Sequence, residues 1–221
     1  MMKDSGTQES VEIEASSARL QGILWLPSSP KGIILFAHGS GSSRHSIRNN
    51  YVASVLQTSG FGTLLFDLLT EDEASDRGNV FDISLLAKRL VEATNWTSNH
   101  IRTRNLEIGY FGASTGGAAA LLASVDSSID IFAVVSRGGR PDMAFQTLNL
   151  VKAPTLLIVG GDDLEVLELN RIAYDRMNCE KELSIVQGAT HLFEEPGKLE
   201  EVARLATKWF LRHIGARNMT R

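Results

Sequence analysis

The chain has 221 residues, 43% of them hydrophobic and 22% charged, with a formal net charge of −4. That length and apolar share suit one large globular domain with a substantial core. Its lysines and arginines are scattered and create no basic field, which argues against nucleic acid as a partner, and no run reaches the roughly 18 apolar residues of a membrane span.

The opening "MMKDSGTQES" is polar and lacks the apolar stretch of a signal peptide. Residues 1–10 are therefore expected to be a flexible N-terminus, and the protein to be cytoplasmic, without a membrane partner. Two short runs follow, Val11–Ala15 and Leu20–Leu26, the first alternating apolar with charged residues. They predict an antiparallel hairpin. Six further runs are nearly continuous in apolar residues: Gly32–Gly39, Gly62–Leu69, Leu106–Gly112, Ile131–Gly139, Pro154–Gly161 and Glu182–Ala189. Such runs suit parallel strands covered on both faces.

Helical patterns are expected between them, at Asn49–Ser59, Val80–Asn95, Thr115–Ser124, Leu164–Met177 and Lys198–Ile214. In the last, Leu199, Val202, Ala203, Ala206, Trp209 and Phe210 follow the helical period while Glu200, Glu201, Arg204 and Lys208 face away. Strands alternating with helices after a hairpin predict an α/β fold: a doubly wound, mainly parallel sheet with helices on both faces and an antiparallel edge. Ligands bind such sheets at the carboxyl ends of the strands.

Those ends carry "HGSG", "GASTGG", "RGGR", "GGDDLEV" and "GATH". Gly112-Ala113-Ser114-Thr115-Gly116 fits Gly-x-Ser-x-Gly, in which the glycines permit a tight strand-to-helix turn that holds the serine hydroxyl clear of the sheet. A serine hydroxyl needs a base to become a nucleophile, and His191, in the loop after the last strand, is the candidate. His38 is expected to bond loop backbone groups, while His100 and His213 are expected to be bystanders. An acid must orient the imidazole. Asp162 and Asp163 both follow the fifth parallel strand, and Asp163 is favoured because Asp162 more naturally serves the turn. For a developing oxyanion, the backbone N–H of Thr115 is one candidate donor, and that of Ser40, with Gly41 second, is the other.

The glycine-rich turns contain no Gly-Lys-Ser/Thr ending and no dinucleotide spacing, and there is no His-Glu-x-x-His or Cys-x-x-Cys pattern, so no cofactor or metal is expected. The single cysteine, Cys179, has no partner for a disulfide.

Taken together, "FAHGSGSSRHS", "YFGASTGG", "PTLLIVGGDDLEVLELNR" and "GATHLFEEPG" resemble the α/β-hydrolase superfamily, and within it the small dienelactone-hydrolase-like members. The resemblance runs from Val11 to about Ile214. It implies a single α/β-hydrolase domain over residues 11–215, followed by a tail at 216–221, with Ser114, Asp163 and His191 as nucleophile, acid and base. Dienelactone hydrolase itself uses cysteine where this chain has Ser114, which points to a general esterase or lactonase. Only Arg140–Val151 separate Gly139 from the next run, too short for a lid domain. An open site is expected, formed by loops around Ser40–Arg48, Thr70–Val80 and Arg137–Phe145. Arg137 could anchor a substrate carboxylate or pair with Asp142; Arg44 and Arg48 invite the same expectation. The expected activity is hydrolysis of a small ester, thioester or lactone through an acyl-enzyme on Ser114. A catalytically silent binding protein, an acyltransferase and a perhydrolase are the alternatives that use the same fold.

Overall fold

The computed structural model describes residues 6–16 and 18–215. Its strands are β1 (Thr7–Ala15), β2 (Ala18–Leu26), β3 (Ile33–Ala37), β4 (Gly62–Phe66), β5 (Ile108–Ala113), β6 (Ile131–Arg137), β7 (Thr155–Gly160) and β8 (Lys181–Val186). Its helices are α1 (Ile47–Thr58), α2 (Glu71–Ser75), α3 (Arg77–Phe81), α4 (Ile83–Asn99), α5 (Thr115–Asp126), α6 (Leu164–Arg176) and α7 (Lys198–His213), and a 3₁₀ stretch runs over Pro141–Leu150.

The strands form one sheet in the order β1-β2-β4-β3-β5-β6-β7-β8. β1 pairs with β2, and β2 with β4, antiparallel; every other pairing is parallel. This is the doubly wound sheet with an antiparallel edge that the sequence predicts. Period-two alternation divides the core between its faces. Ile33, Leu35 and Ala37 of β3 join Leu86 and Leu90 of α4 and the alanines of α5. Ile34 and Phe36 point the other way, into a cluster with Val52 and Leu56 of α1 and Ala206 and Phe210 of α7. α5 is built from Gly, Ala and Leu and is buried along most of its length. Those small side chains let it lie close between α4 and the sheet.

The structure corrects several boundaries. β1 begins at Thr7, so residues 7–10 are strand and not part of a flexible N-terminus. Pairing with β2 explains this: Thr7 lies opposite Leu26, and Arg102 ties the edge by bonding Glu9 at 2.9 Å and Thr7. Residues 1–5 and the expected tail at 216–221 lie outside the described residues. The helix expected at Val80–Asn95 starts at Ile83, where Asp82 accepts from the Leu85 N–H at 3.0 Å, and runs on to Asn99. α2, α3 and the 3₁₀ stretch are additions. α2 owes its start to a capping box: Glu73 N–H donates to Thr70 Oγ1 at 3.2 Å, and Thr70 N–H donates to Glu73 Oε2 at 3.0 Å. Among the described residues no helix is long and apolar enough to cross a membrane.

Candidate active site

Ser114 sits where β5 stops and α5 begins. Its backbone has φ 52° and ψ −120°, a conformation that disfavours a side chain. The strand before it and the helix after it are held so close that a Cβ on Gly112 would run into the Gly116 carbonyl, and one on Gly116 into the Ala37 and His38 carbonyls. Glycine is thus required at both positions by close backbone approach. The Ser114 N–H is fixed by the Arg137 carbonyl at 3.2 Å, and its own carbonyl accepts from the N–H groups of Gly117 (2.9 Å) and Arg140 (3.1 Å). With its backbone pinned on both sides, the serine projects its hydroxyl at the carboxyl end of the sheet.

His191 reaches that hydroxyl from the loop after β8. Its Nε2 lies 3.3 Å from Ser114 Oγ, and its Nδ1 lies 2.6 Å from Asp163 Oδ2. A carboxylate at Nδ1 requires the proton there, which leaves the Nε2 lone pair to accept from the Ser114 O–H. The loop is braced on itself. Thr190 donates to Glu195 Oε1 through its N–H (3.1 Å) and its hydroxyl (2.6 Å), and the buried Phe193 adopts φ 58° while donating its N–H to the Thr190 carbonyl at 3.3 Å. Asp163 ends the turn after β7 and opens α6, with its N–H on the Gly160 carbonyl at 3.2 Å. Of the adjacent acids, Asp163 meets the imidazole; Asp162 is exposed and bonds the Ala189 carbonyl through its backbone N–H at 3.0 Å.

Beside this group lies a cavity of about 450 Å³ between the loop after β3 and the segment after β4, with Thr115 and Ser40 both on its wall. Thr115 is the first residue of α5, so its N–H has no acceptor within the helix. Its hydroxyl is buried without a hydrogen-bond partner among the described residues. Gly41, Arg44, Leu69, Thr70 and Val80 contribute further wall. The Ser40 and Thr70 loops thus line the cavity as expected, while Arg137–Phe145 do not.

α2 forms part of this wall and is anchored by a buried network that composition does not reveal. Arg89 of α4, 1% exposed, pairs with Glu73 at 2.6 Å and Glu92 at 3.2 Å, and Glu92 accepts from the Ser16 hydroxyl at 2.5 Å. Burial pushes the Glu73 carboxyl up, but the Thr70 backbone bond and Arg89 outweigh it and hold the group below the usual carboxylate range.

His38 takes the structural place expected of it. Its Nε2 accepts the Leu68 N–H at 3.0 Å, which puts the ring proton on Nδ1, 3.0 Å from the Gly39 carbonyl. Burial lowers its pKa against weaker opposing effects of Gly39 and Asp67. Arg137 requires correction on both counts. It is 4% exposed, outside the cavity, and Asp142 pairs instead with Arg140 through two bonds of 2.9 and 2.8 Å. Strand alternation turns Arg137 toward α1, where it lies 3.5 Å from Asn49 Oδ1 and 5.8 Å above the Phe193 ring. Burial, assisted by nearby Arg48, pulls its pKa down to about 10. Arg48 pairs with Glu194 at 2.8 Å. Arg44 does line the cavity, but its guanidinium is held by Asp67. His100 stacks on Trp96, and His213, buried against Trp209, has its pKa lowered by that burial.

No protein-family model matches the chain. A protein found in two strains of Mycobacterium tuberculosis, CDC 1551 and H37Rv, and named provisionally as a phosphoribosyl transferase, is 57% identical over 206 residues. The match takes in 93% of this chain but 46% of that protein, so the chain spans about half the length of these relatives. The crystal structure of a dienelactone hydrolase from Anabaena variabilis is 51% identical, with a TM-score of 0.91, over 95% of this chain and 99% of the other. The esterase domain of a Rhodothermus marinus protein shares the fold, with a TM-score of 0.76 at 20% identity over 95% of this chain and 100% of the other. Half the residues shared over almost the full length of a protein with the same sheet make this more than a common architecture: the chain belongs to the dienelactone-hydrolase-like hydrolases of the α/β-hydrolase superfamily.

Proposed function

We propose that the chain is a serine hydrolase that cleaves a small ester, thioester or lactone through an acyl-enzyme on Ser114. The observation that carries this reading is the hydrogen-bonded series Ser114–His191–Asp163, mounted on a serine whose backbone conformation is otherwise unfavourable. Strain held at a single half-buried hydroxyl beside an imidazole is consistent with a nucleophile.

In the first half-reaction Ser114 Oγ attacks the carbonyl carbon while His191 Nε2 takes its proton. The C=O electron pair moves onto oxygen, and the backbone N–H groups of Thr115 and Ser40 are assigned as the donors that receive that charge. Asp163 holds the imidazole proton on Nδ1 and stabilises the cation. Collapse of the tetrahedral intermediate expels the alcohol, thiol or ring oxygen, which takes the proton from His191. Water, deprotonated by the same nitrogen, then releases the acid and restores Ser114. Another acceptor in place of water would make the same residues an acyltransferase.

The transferase name of the mycobacterial relatives belongs to proteins about twice as long as the matched segment. A hydrolase reading of the shared half is compatible with a different activity in the other. The test is a panel of short-chain para-nitrophenyl esters, thioesters and lactones, with the acyl-enzyme trapped by rapid acid quench. The expected result is a mass increase equal to the acyl group on the peptide containing Ser114; turnover that survives Ser114→Ala would refute the assignment.

A further inference from the structure

The cavity beside Ser114 has a charge arrangement that the chemistry of acyl transfer does not require. Its charged and titratable wall residues are His38, Arg44, His45, Asp67 and Glu71. His38 is committed to backbone groups of Gly39 and Leu68. Arg44 is engaged twice by Asp67: one carboxylate oxygen accepts its backbone N–H at 2.7 Å and the other its guanidinium. Both partners are largely covered, at 26% and 18% side-chain exposure, so water screens the pair only in part. Glu71 is exposed at the start of α2 and has no ion-pair partner among the described residues. The arginine is thus spent, while one carboxylate is left over. The remaining wall offers neutral hydrogen-bonding groups, among them the Ser42 and Ser43 side chains.

We infer that Asp67 sets the substrate preference of this site: by holding Arg44 it denies the cavity a free guanidinium, so the cavity takes an uncharged, hydrogen-bonding group in preference to a carboxylate. The inference rests on the reading of Ser114 as nucleophile and narrows its substrate class. The position of the cavity supports it. Thr115 is on its wall, and so is Gly39, where a Cβ would lie 3.1 Å from that of Ser114, so a group seated there is close to the reacting carbonyl. An incoming carboxylate would have to displace Asp67 from Arg44 or share the guanidinium with it, facing two like charges in either case. An amide or hydroxyl of the same shape meets no such repulsion.

The test uses two pairs of aryl esters of equal shape. In one the acyl part is para-carbamoylbenzoyl or para-carboxybenzoyl on a para-nitrophenyl leaving group; in the other the same two substituents sit on the phenol of a butyrate ester. Each kcat/KM is divided by the rate of that ester with hydroxide, and a fluorophosphonate probe reports whether Ser114 is activated. The expected result is a preference of about tenfold or more for the carbamoyl ester in at least one pair. Asp67→Asn, which keeps an oxygen for the Arg44 N–H but frees the guanidinium, is expected to reduce that preference by about tenfold. Glu71→Gln, on an exposed residue that threatens no fold, is expected to reduce it about threefold and provides the reading should Asp67→Asn not fold. Equal rates within both pairs in the wild type, a preference unchanged in folded Asp67→Asn, or, should that variant not fold, a preference unchanged in Glu71→Gln, would overturn the inference and leave the serine-hydrolase reading intact. An unlabelled Ser114 with no turnover of any of the four esters would overturn both.

Discussion

The Asp163 carboxylate stands 2.6 Å from Nδ1 of His191, while its neighbour Asp162 turns outward and contributes its backbone N–H to the Ala189 carbonyl. Adjacent acids on one turn are thereby given separate tasks. Asp163→Asn places an amide where an acceptor is needed and favours the wrong imidazole tautomer, so kcat on a para-nitrophenyl ester is expected to fall by about ten-thousandfold with little change in KM. Asp162→Asn is expected to stay within about twofold of wild type. Equal losses in the two variants would contradict this division.

Strain at Ser114 makes a prediction about stability independent of turnover. At φ 52° and ψ −120° any Cβ is unfavourable, and glycine alone adopts that conformation freely. Ser114→Gly should therefore be more stable than Ser114→Ala by about 1 kcal/mol, although both are expected to abolish activity. Urea denaturation of the two proteins measures the difference. A Ser114→Ala protein as stable as Ser114→Gly would mean that the turn stores no strain.

His38 ties stability to pH. Its folded pKa lies below the ordinary value of about 6.5 because the ring is buried and neutral, while the unfolded chain binds a proton there. Stability from this source is complete above the unfolded pKa and is lost as pH falls through the folded one, at no more than about 1.4 kcal/mol per pH unit. His213, lowered by burial in the same direction, adds to the loss. The urea midpoint should be flat near pH 7–8 and decline below about pH 6.5. His38→Asn should show a shallower decline, and an identical slope in that variant would exclude His38 as a source.

Among the described residues Arg137 has no acidic partner and its Nε is unpartnered, and burial pulls its pKa down to about 10. Replacing such a group with an apolar side chain of similar length removes a desolvation cost without stranding a carboxylate. Arg137→Met is expected to raise the unfolding free energy by about 1 kcal/mol and to leave the charge preference among esters unchanged. A loss of ester binding would reinstate Arg137 as a substrate contact.

Much of this architecture is legible in residue order because the information is local. Continuous apolar runs mark β3 to β7, whereas the edge strand β8 carries Lys181, Glu182 and Ser184 and buries only Val186; the close approach that demands Gly112 and Gly116 also makes the motif around Ser114 visible. What escaped depends on partners remote in sequence. β1 is extended to Thr7 by pairing with β2 and by Arg102, which lies on a distant turn. The side to which Arg137 points follows from the registers of β5, β6 and β7, and the capture of Arg44 by Asp67 joins two separate loops. α2 is the exception, since Thr70 and Glu73 spell a capping box that could have been read directly.

The most direct test of the central claim is stoichiometric reaction of the folded protein with a fluorophosphonate probe, followed by intact mass and peptide mapping, with Ser114→Ala and His191→Ala as controls. An activated nucleophile predicts one adduct per chain, on Ser114, absent from both variants. A folded wild-type protein that remains unlabelled, or labelling that persists in Ser114→Ala, would contradict the assignment of Ser114 as the residue that attacks the substrate.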